Sequence, residues 1–362
     1  MIDLSLSSLV FAGVENFILI NTILSLVTFT LITIIRTSKL TRVWYPSSLA
    51  RLFAVGIIFP PVLSSWLVIA SLLPAVWLGT DRWAQEHRAS HTLHLLNAFT
   101  FPLDPVLGYA ALVFALVSAI IAIYAAGSAY FRISNVVRRL EIGAEPAAWQ
   151  RIEQVKSACH KYGIDVGLVV SNYPFSFVWG YFRSKLIVST GLLNALTEEE
   201  LAGLLEHEAA HHARRDNLSK WILTVCKYSS PVFPLMSFLY RWWSEQVEML
   251  CDEIAARRTQ APVEIAAALV RLKKLSRAFV SRTLQPAQSG FFSEDKENFE
   301  RRVERILSLS DKLETVGAIA LSRSWATAAI IISAGFTLSL LILFLASPLV
   351  IHRIVEAFLH IF

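Results

Sequence analysis

Four stretches of the chain carry no charged side chain at all: between Glu15 and Arg36, from Leu52 to Thr80, from Val106 to Phe131, and from Ser324 to Ile351. A helix crosses the hydrocarbon core of a bilayer in about 20 apolar residues, and each stretch is long enough. Buried core helices of soluble domains rarely stay free of charge for so long. The composition agrees, with 55% hydrophobic and 17% charged residues and a mean hydropathy of +0.53. The expected architecture has transmembrane helices at residues 16–35, 52–79 and 106–131, and a fourth within 324–362 followed by a short outer tail.

Lys and Arg collect in short loops that stay in the cytoplasm. Arg36, Lys39, Arg42 and Arg51 fill the first loop without an acidic residue, and Arg132, Arg138 and Arg139 follow the third run. This pattern predicts a multi-pass protein of the inner (cytoplasmic) membrane, with both termini and the loop 80–105 outside and residues 132–323 in the cytoplasm. No basic residue precedes the first run, which is flanked by Asp3 and Glu15, so it is expected to remain as an anchor rather than be cleaved. The net charge of +5 is largely accounted for by these anchors and by a basic inner domain facing anionic lipid, and no direct nucleic-acid binding is expected. Cys159, Cys226 and Cys251 all fall in the inner segment, which argues against a disulfide framework.

The inner segment is large enough for one compact domain. Ile152, Val155 and Cys159 recur at helical spacing between Pro146 and Tyr162. Val- and Ile-rich runs at 164–171 and 185–190, with 175–182 between them, predict a small antiparallel sheet with an edge strand. Thr197 followed by Glu200 is a capping-box signature, and it predicts a helix from Glu198 to Arg214. A second helix is expected around Trp242–Thr259, a loop over Ser281–Asn298, and another helix near Arg301.

The first of these helices reads His207-Glu208-Ala209-Ala210-His211, an HExxH pattern. Residues four apart share one helix face, so both imidazoles can reach one tetrahedral ion, while Glu208 lies beside the pair. There it can take a proton from the attacking water and pass it to the leaving amine. A catalytic zinc needs a third protein ligand, and Glu248 on the second helix is the candidate, with Asp252 one turn on to orient a ligand histidine. One zinc ion per chain is implied. Cys251 is a rival ligand, although an interior cysteine is more often inert packing. His212 lies about 100° around the helix from His211 and is expected at the surface or behind the ligands. Asp216 either orients a ligand or forms a helix-end turn.

Between the motifs, Leu218–Trp243 is apolar enough to suggest a fifth span. A crossing there would put Glu248 on the opposite side of the membrane from His207 and His211. A membrane-facing hairpin turning at Pro231 and Pro234 is therefore expected, its aromatic residues seating the site at the interface. The fold class that follows is mainly α: a polytopic membrane protein with four transmembrane helices and a cytoplasmic α+β zincin-like metallopeptidase domain.

The segment FSFVWGYFRSKLIVSTGLLNALTEEELAGLLEHEAAHHARRDN and the later EMLCDE together resemble the BlaR/MecR-type membrane metallopeptidases, over roughly Leu168–Arg257. That resemblance implies gluzincin chemistry, regulatory proteolysis of a cytosolic target such as a repressor, and self-cleavage. Those proteins continue into an extracellular penicillin-binding sensor, whereas this sequence ends at Phe362, so sensing of beta-lactams is not expected. HtpX-type peptidases and CAAX prenyl proteases are similar in chemistry but carry Ala where this chain has Cys251; a quality-control or processing peptidase is the alternative. A non-catalytic receptor or scaffold stabilised by zinc is a third reading, which the intact Glu208 disfavours.

Expected partners are a protein or peptide substrate on the cytoplasmic side and the lipid bilayer; homo-oligomerisation is left open. Substrate contacts are expected from Phe177, Trp179 and Gly180 of the edge strand. Tyr228, Tyr240 and Arg241 are the candidates to stabilise an oxyanion. His87, His91 and His94 of the outer loop share one helical face and suit a metal or pH sensor, or else a plain interfacial helix. Arg301, Arg302 and Arg305 read as a solvated charge run, with lipid or acidic substrate as the functional alternative.

Overall fold

The computed structural model describes residues 6–38, 45–78, 146–181, 184–282 and 296–313, with scattered helical positions between 113 and 127. The fourth apolar run, the outer loop with His87, His91 and His94, and most of the third run lie outside the described residues. Among these residues the helices are α1 (Leu6–Thr37), α2 (Pro46–Leu78), α3 (Pro146–His160), α4 (Thr190–Ala195), α5 (Glu198–Arg214), α6 (Asp216–Ser229), α7 (Phe233–Thr259), α8 (Pro262–Arg282) and α9 (Lys296–Leu313). Three strands, β1 (Asp165–Val169), β2 (Ser176–Trp179) and β3 (Lys185–Ser189), complete the set.

Two of the described helices are long and apolar enough to cross a membrane, at Asn16–Thr37 and Pro46–Ile69, with mean hydropathies of 2.3 and 2.2. They pack on each other at Gly56, where a Cβ would collide with Ile32 Cδ1. Their outer faces expose Leu19, Ile23, Val27 and Leu31 on α1 and Val55, Phe59, Val62 and Ile69 on α2. Apolar faces of this kind suit lipid and would be a liability in water.

The sheet has the order β1-β3-β2, with β1 parallel to β3 and β2 antiparallel to it. This corrects the expected all-antiparallel sheet. Each of the two turns reverses the chain, so β1 and β3 point the same way, and β3 inserts between the two strands that precede it. The edge position of β2 in the described sheet matches the expectation. Gly191 holds the β1–β2 turn against the start of α4. Its amide donates to Ser171 O at 2.7 Å, and a Cβ there would strike Asn172 O.

Two apolar cores flank α5. The first joins Ile152, Val155 and Cys159 of α3 to Leu186 and Val188 of β3 and to Leu201, Leu204 and Leu205 of α5. The second joins Ile32 of α1 and Phe53 and Ile57 of α2 to Met236, Leu239, Trp243, Val247 and Cys251 of α7, and it reaches Ala210 on α5. Small residues permit this crowding. Ala209 faces the first core and Ala210 the second, while a Cβ on Gly203 would sit 2.6 Å from Ile265 Cγ1 of α8.

The apolar stretch after the HExxH motif forms a hairpin of α6 and α7 that turns at Ser230–Val232. α7 begins at Phe233, earlier than the Trp242 expected, because Pro234 sits in its first turn, where a missing N–H costs nothing. The hairpin lies chiefly against α2 and also touches α1. At one end the Arg36 guanidinium stacks 4.1 Å above the Trp242 ring. At the other, Asn21 Nδ2 donates to Ser229 O at 2.9 Å and Ser230 Oγ donates to Ser25 Oγ at 2.9 Å, all within a buried polar knot. Eleven helical residues separate Arg36 from Ser25, a rise of about 16 Å.

The knot gives the turn its only side-chain donor from α1 among the described contacts, and a buried carbonyl left without one costs about 1–3 kcal/mol. Asn21→Ala is therefore expected to lower the Tm of the detergent-solubilised protein by several degrees. An unchanged Tm would mean that α1 does not hold the hairpin turn.

Candidate metal centre

The helix that carries HExxH is fixed at both ends by its own sequence. At the start, Thr197 Oγ1 accepts from Glu200 N at 3.2 Å and Glu200 Oε2 accepts from Thr197 N at 2.9 Å, the reciprocal capping box. At the end, Arg215 takes a left-handed conformation with φ 53° and ψ 43°. A residue with a side chain adopts this at a cost of about 1–2 kcal/mol. The bend lets α6 start at once with Asp216, whose Oδ2 lies 2.8 Å from His211 Nδ1.

α7 crosses α5 and brings Glu248 and Asp252 to the face that holds both histidines. His207 Nε2 and His211 Nε2 stand 3.1 Å apart. Glu248 straddles them, with Oε2 3.6 Å from His207 Nε2 and Oε1 3.7 Å from His211 Nε2. On the far side of His207, Asp252 Oδ1 approaches Nδ1 at 2.9 Å. These three ligand groups lie close enough to share one ion.

The separations fit a metal better than they fit bare side chains. Ligands at about 2.0–2.1 Å from a tetrahedral ion stand roughly 3.3 Å from one another. The imidazole pair is near that value, and the carboxylate is a few tenths of an ångström beyond it. Two nitrogens and one carboxylate, each ring backed by a second carboxylate, form a donor set suited to zinc, with room for a fourth ligand.

The electrostatics point the same way. Burial pushes the His207 ring toward the neutral form, but contacts with Asp252 and Glu248 outweigh it and raise the pKa to about 10. Burial also opposes charge on His211, and Glu248, Asp216 and Cys251 hold its pKa well above the ordinary histidine value. Burial would raise the Glu248 carboxyl, yet His211 and His207 keep it well below the usual range. Burial acts likewise on Asp252, which Arg302 and His207 bring down to about 2. The negative charge of the surroundings is thus strong enough to hold cations, a proton or a metal, on both rings.

Cys251 is fully buried on the other side of His211, with Sγ 3.4 Å from Nδ1 and 3.7 Å from Asp216 Oδ2. It therefore faces the Nδ1 edge rather than the Nε2 pair. His212 points away from both and contacts Ser184 Oγ. Phe177 and Trp179 pack with Val169 and Ile187 on the opposite face of the sheet, because alternate strand residues change faces. The β2 side chains toward α5 are Ser176 and Val178. Gly180, with φ 107°, accepts from Asn217 Nδ2 at 3.2 Å.

The three oxyanion candidates sit along the hairpin. Tyr228 and Tyr240 bracket Lys227, whose Nζ lies 4.3 and 4.8 Å from their ring centroids. Tyr240 is about 12 Å along α7 from Glu248. Arg241 is held by Glu245 at 3.2 Å, nearer the hairpin than the ligands are.

Three participants were missed in the sequence. Ser176 Oγ donates to Glu208 Oε1 at 2.8 Å and fixes that carboxylate on one oxygen. Asn217 Nδ2 also donates to Val178 O at 2.6 Å, tying β2 to the first turn of α6. Arg302, read as part of a solvated charge run, is buried with its guanidinium on Asp252. Only its amphipathic position, in line with Val303 and Ile306, gave a sign of this.

The family model for BlaR1 peptidase M56 matches residues 81–306. The chain belongs to this family. Among curated relatives, it is 38% identical over 81 residues to a protease HtpX homologue of Bordetella petrii, covering 21% of this chain and 27% of that one. It is 34% identical over 98 residues to protease HtpX of Legionella pneumophila, covering 25% and 35%. A protease HtpX homologue of Acidiphilium cryptum is 29% identical over 175 residues, covering 37% and 61%. The matches thus span less than two thirds of these relatives. No solved structure matches the chain. M56 is a family of membrane-associated metallopeptidases.

Two outcomes follow from the geometry. A metal must displace protons from rings whose pKa values are raised, so zinc affinity should weaken about tenfold per unit of acidification for each proton displaced. Chelator competition at a series of pH values measures this, and a flat profile would contradict proton–metal exchange at the rings. Ser176→Ala should lower kcat on a quenched casein by about 10-fold, a hydrogen bond to a charged group being worth roughly 1.5 kcal/mol at the low end. Restoration by Ser176→Thr is expected.

Proposed function

We propose that the chain hydrolyses peptide bonds with one zinc ion held by His207, His211 and Glu248, at the cytoplasmic face of the inner membrane. Its role is regulatory proteolysis of a cytosolic or membrane-proximal protein. The observation that carries this reading is the 3.1 Å approach of two imidazole nitrogens beneath a straddling carboxylate, with Glu208 beside them. When bound, zinc would supply a polarised carbonyl and a water acidic enough to lose its proton near neutral pH.

The chain's own residues do the rest. Glu208, held on Oε1 by Ser176, keeps its other oxygen for a water proton and later passes that proton to the leaving amine. Asp252 and Asp216 hold the two rings in the orientation that turns Nε2 inward. β2 is the edge strand of the described sheet on the side of α5, a position that suits an extended substrate.

The hairpin supports this membrane setting. Arg36 and Trp242 mark an interface, as a cation and an indole do at headgroup depth. The turn at Ser230 then lies about 16 Å deeper along α1, where a polar backbone is tolerated only because the protein itself satisfies it. Glu248 lies on the other side of Trp242, so the centre would sit just above the lipid, in reach of proteins at the membrane surface.

Glu208→Gln is the decisive substitution. It should leave zinc content at one per chain and reduce casein cleavage by about 10²–10⁴-fold, the usual worth of a general base. Full activity in this variant would remove Glu208 from the chemistry. Quantitative proteomics of cells carrying the native and Glu208→Gln forms would then separate a single regulatory substrate from a broad quality-control set.

A further inference from the structure

α9 arrives in the site from a distant part of the sequence and presents one buried cation to it. Arg302 Nε donates to Asp252 Oδ2 at 2.7 Å and Nη2 donates to Asp252 Oδ1 at 3.0 Å, a two-pronged contact that fixes the plane of the carboxylate. The third nitrogen, Nη1, lies 3.7 Å from Glu248 Oε2. The Asp252 side chain is 2% exposed and that of Arg302 9%, so neither charge is shielded by bulk water. The Oδ1 that Arg302 holds is the same atom that faces His207 Nδ1 at 2.9 Å.

We propose that Arg302 is a positioning residue of the metal centre, setting Asp252 against His207 and steadying Glu248 from a helix that carries no ligand itself. The inference rests on the zinc reading given above. One planar guanidinium reaches both the carboxylate that holds a ligand ring and the carboxylate that is a ligand. A lysine ammonium lacks the fixed fork and cannot hold both Asp252 oxygens in one plane.

The rest of α9 docks through other contacts. Asn298 Nδ2 donates to Glu245 Oε1 at 2.6 Å, Arg305 Nη2 pairs with Glu253 Oε2 at 3.3 Å, and Ile306 and Leu309 pack on Ala255 and Ala256. Docking and positioning are therefore separable by substitution. Removal of Arg302 strips Asp252 of its counter-charge while leaving the apolar seat of the helix intact.

The test measures zinc affinity of the full chain in detergent by competition with a chromophoric chelator, and the visible spectrum of the cobalt-substituted protein. Arg302→Ala should weaken zinc binding by about 10–100-fold, as loss of a group behind a ligand does, and alter the cobalt bands. Arg302→Lys should fall between it and the native chain, which keeps the test open if the alanine form does not fold. Asn298→Ala, which loosens the same helix without touching Asp252, should bind zinc with native affinity. The Asp252→Asn, Arg302→Ala double variant should bind less weakly than the product of the two single losses, because the two act through one contact. Native affinity in Arg302→Ala, or equal weakening in Asn298→Ala, would overturn the proposal. A native chain that binds no zinc would instead remove the zinc reading beneath it.

Discussion

Two imidazole rings cannot be brought edge to edge in a protein interior without something to draw them there. Here the agents are three carboxylates from two helices: Asp216 of α6 behind His211, and from α7 Asp252 behind His207 and Glu248 in front of both. Each belongs to a different constraint. Asp216 depends on the left-handed bend at Arg215, Asp252 on the grip of Arg302, and Glu248 on the crossing of α7 over α5. The rest of the fold serves to deliver these three groups to one helix face.

The apolar cores make that delivery robust. α5 lies between them, with the sheet and α3 on one flank and α7 with the membrane helices on the other. Ala209 and Ala210, the two residues inside the HExxH motif, are what allow both flanks to close in. A larger side chain at Ala210 would push α7 outward and take Glu248 with it, and one at Ala209 would press on the opposite core. The motif's spacer is thus a packing requirement as much as a spacing one.

Much of this was legible in the sequence because it rests on local rules. The capping box placed the start of α5, and periodicity carried it to Arg214. The HExxH spacing and the requirement that Glu248 share a side of the membrane with His207 predicted the hairpin. What escaped depends on long-range approach. Nothing in the local pattern around Ser176 indicates that its hydroxyl will meet Glu208, since that depends on which way β2 faces. The same strand alternation put Phe177 and Trp179 on the far face. Arg302 looked like its solvated neighbours because a charge is read as exposed until a buried partner is found for it. The parallel β1–β3 pairing escaped for a similar reason: strand order is set by where the core lies, which a strand's own residues do not record.

The join at Arg215 has a mechanical meaning. A single residue links the helix that bears both ring ligands to the helix that descends along α2, with no flexible linker between them. A tilt of the descending helix, imposed by bilayer thickness or lateral pressure, has nowhere to dissipate before it reaches Asp216 and the ring of His211. Under the proposed membrane setting, the lipid surroundings would act directly on the cradle formed by His207, His211 and Glu248.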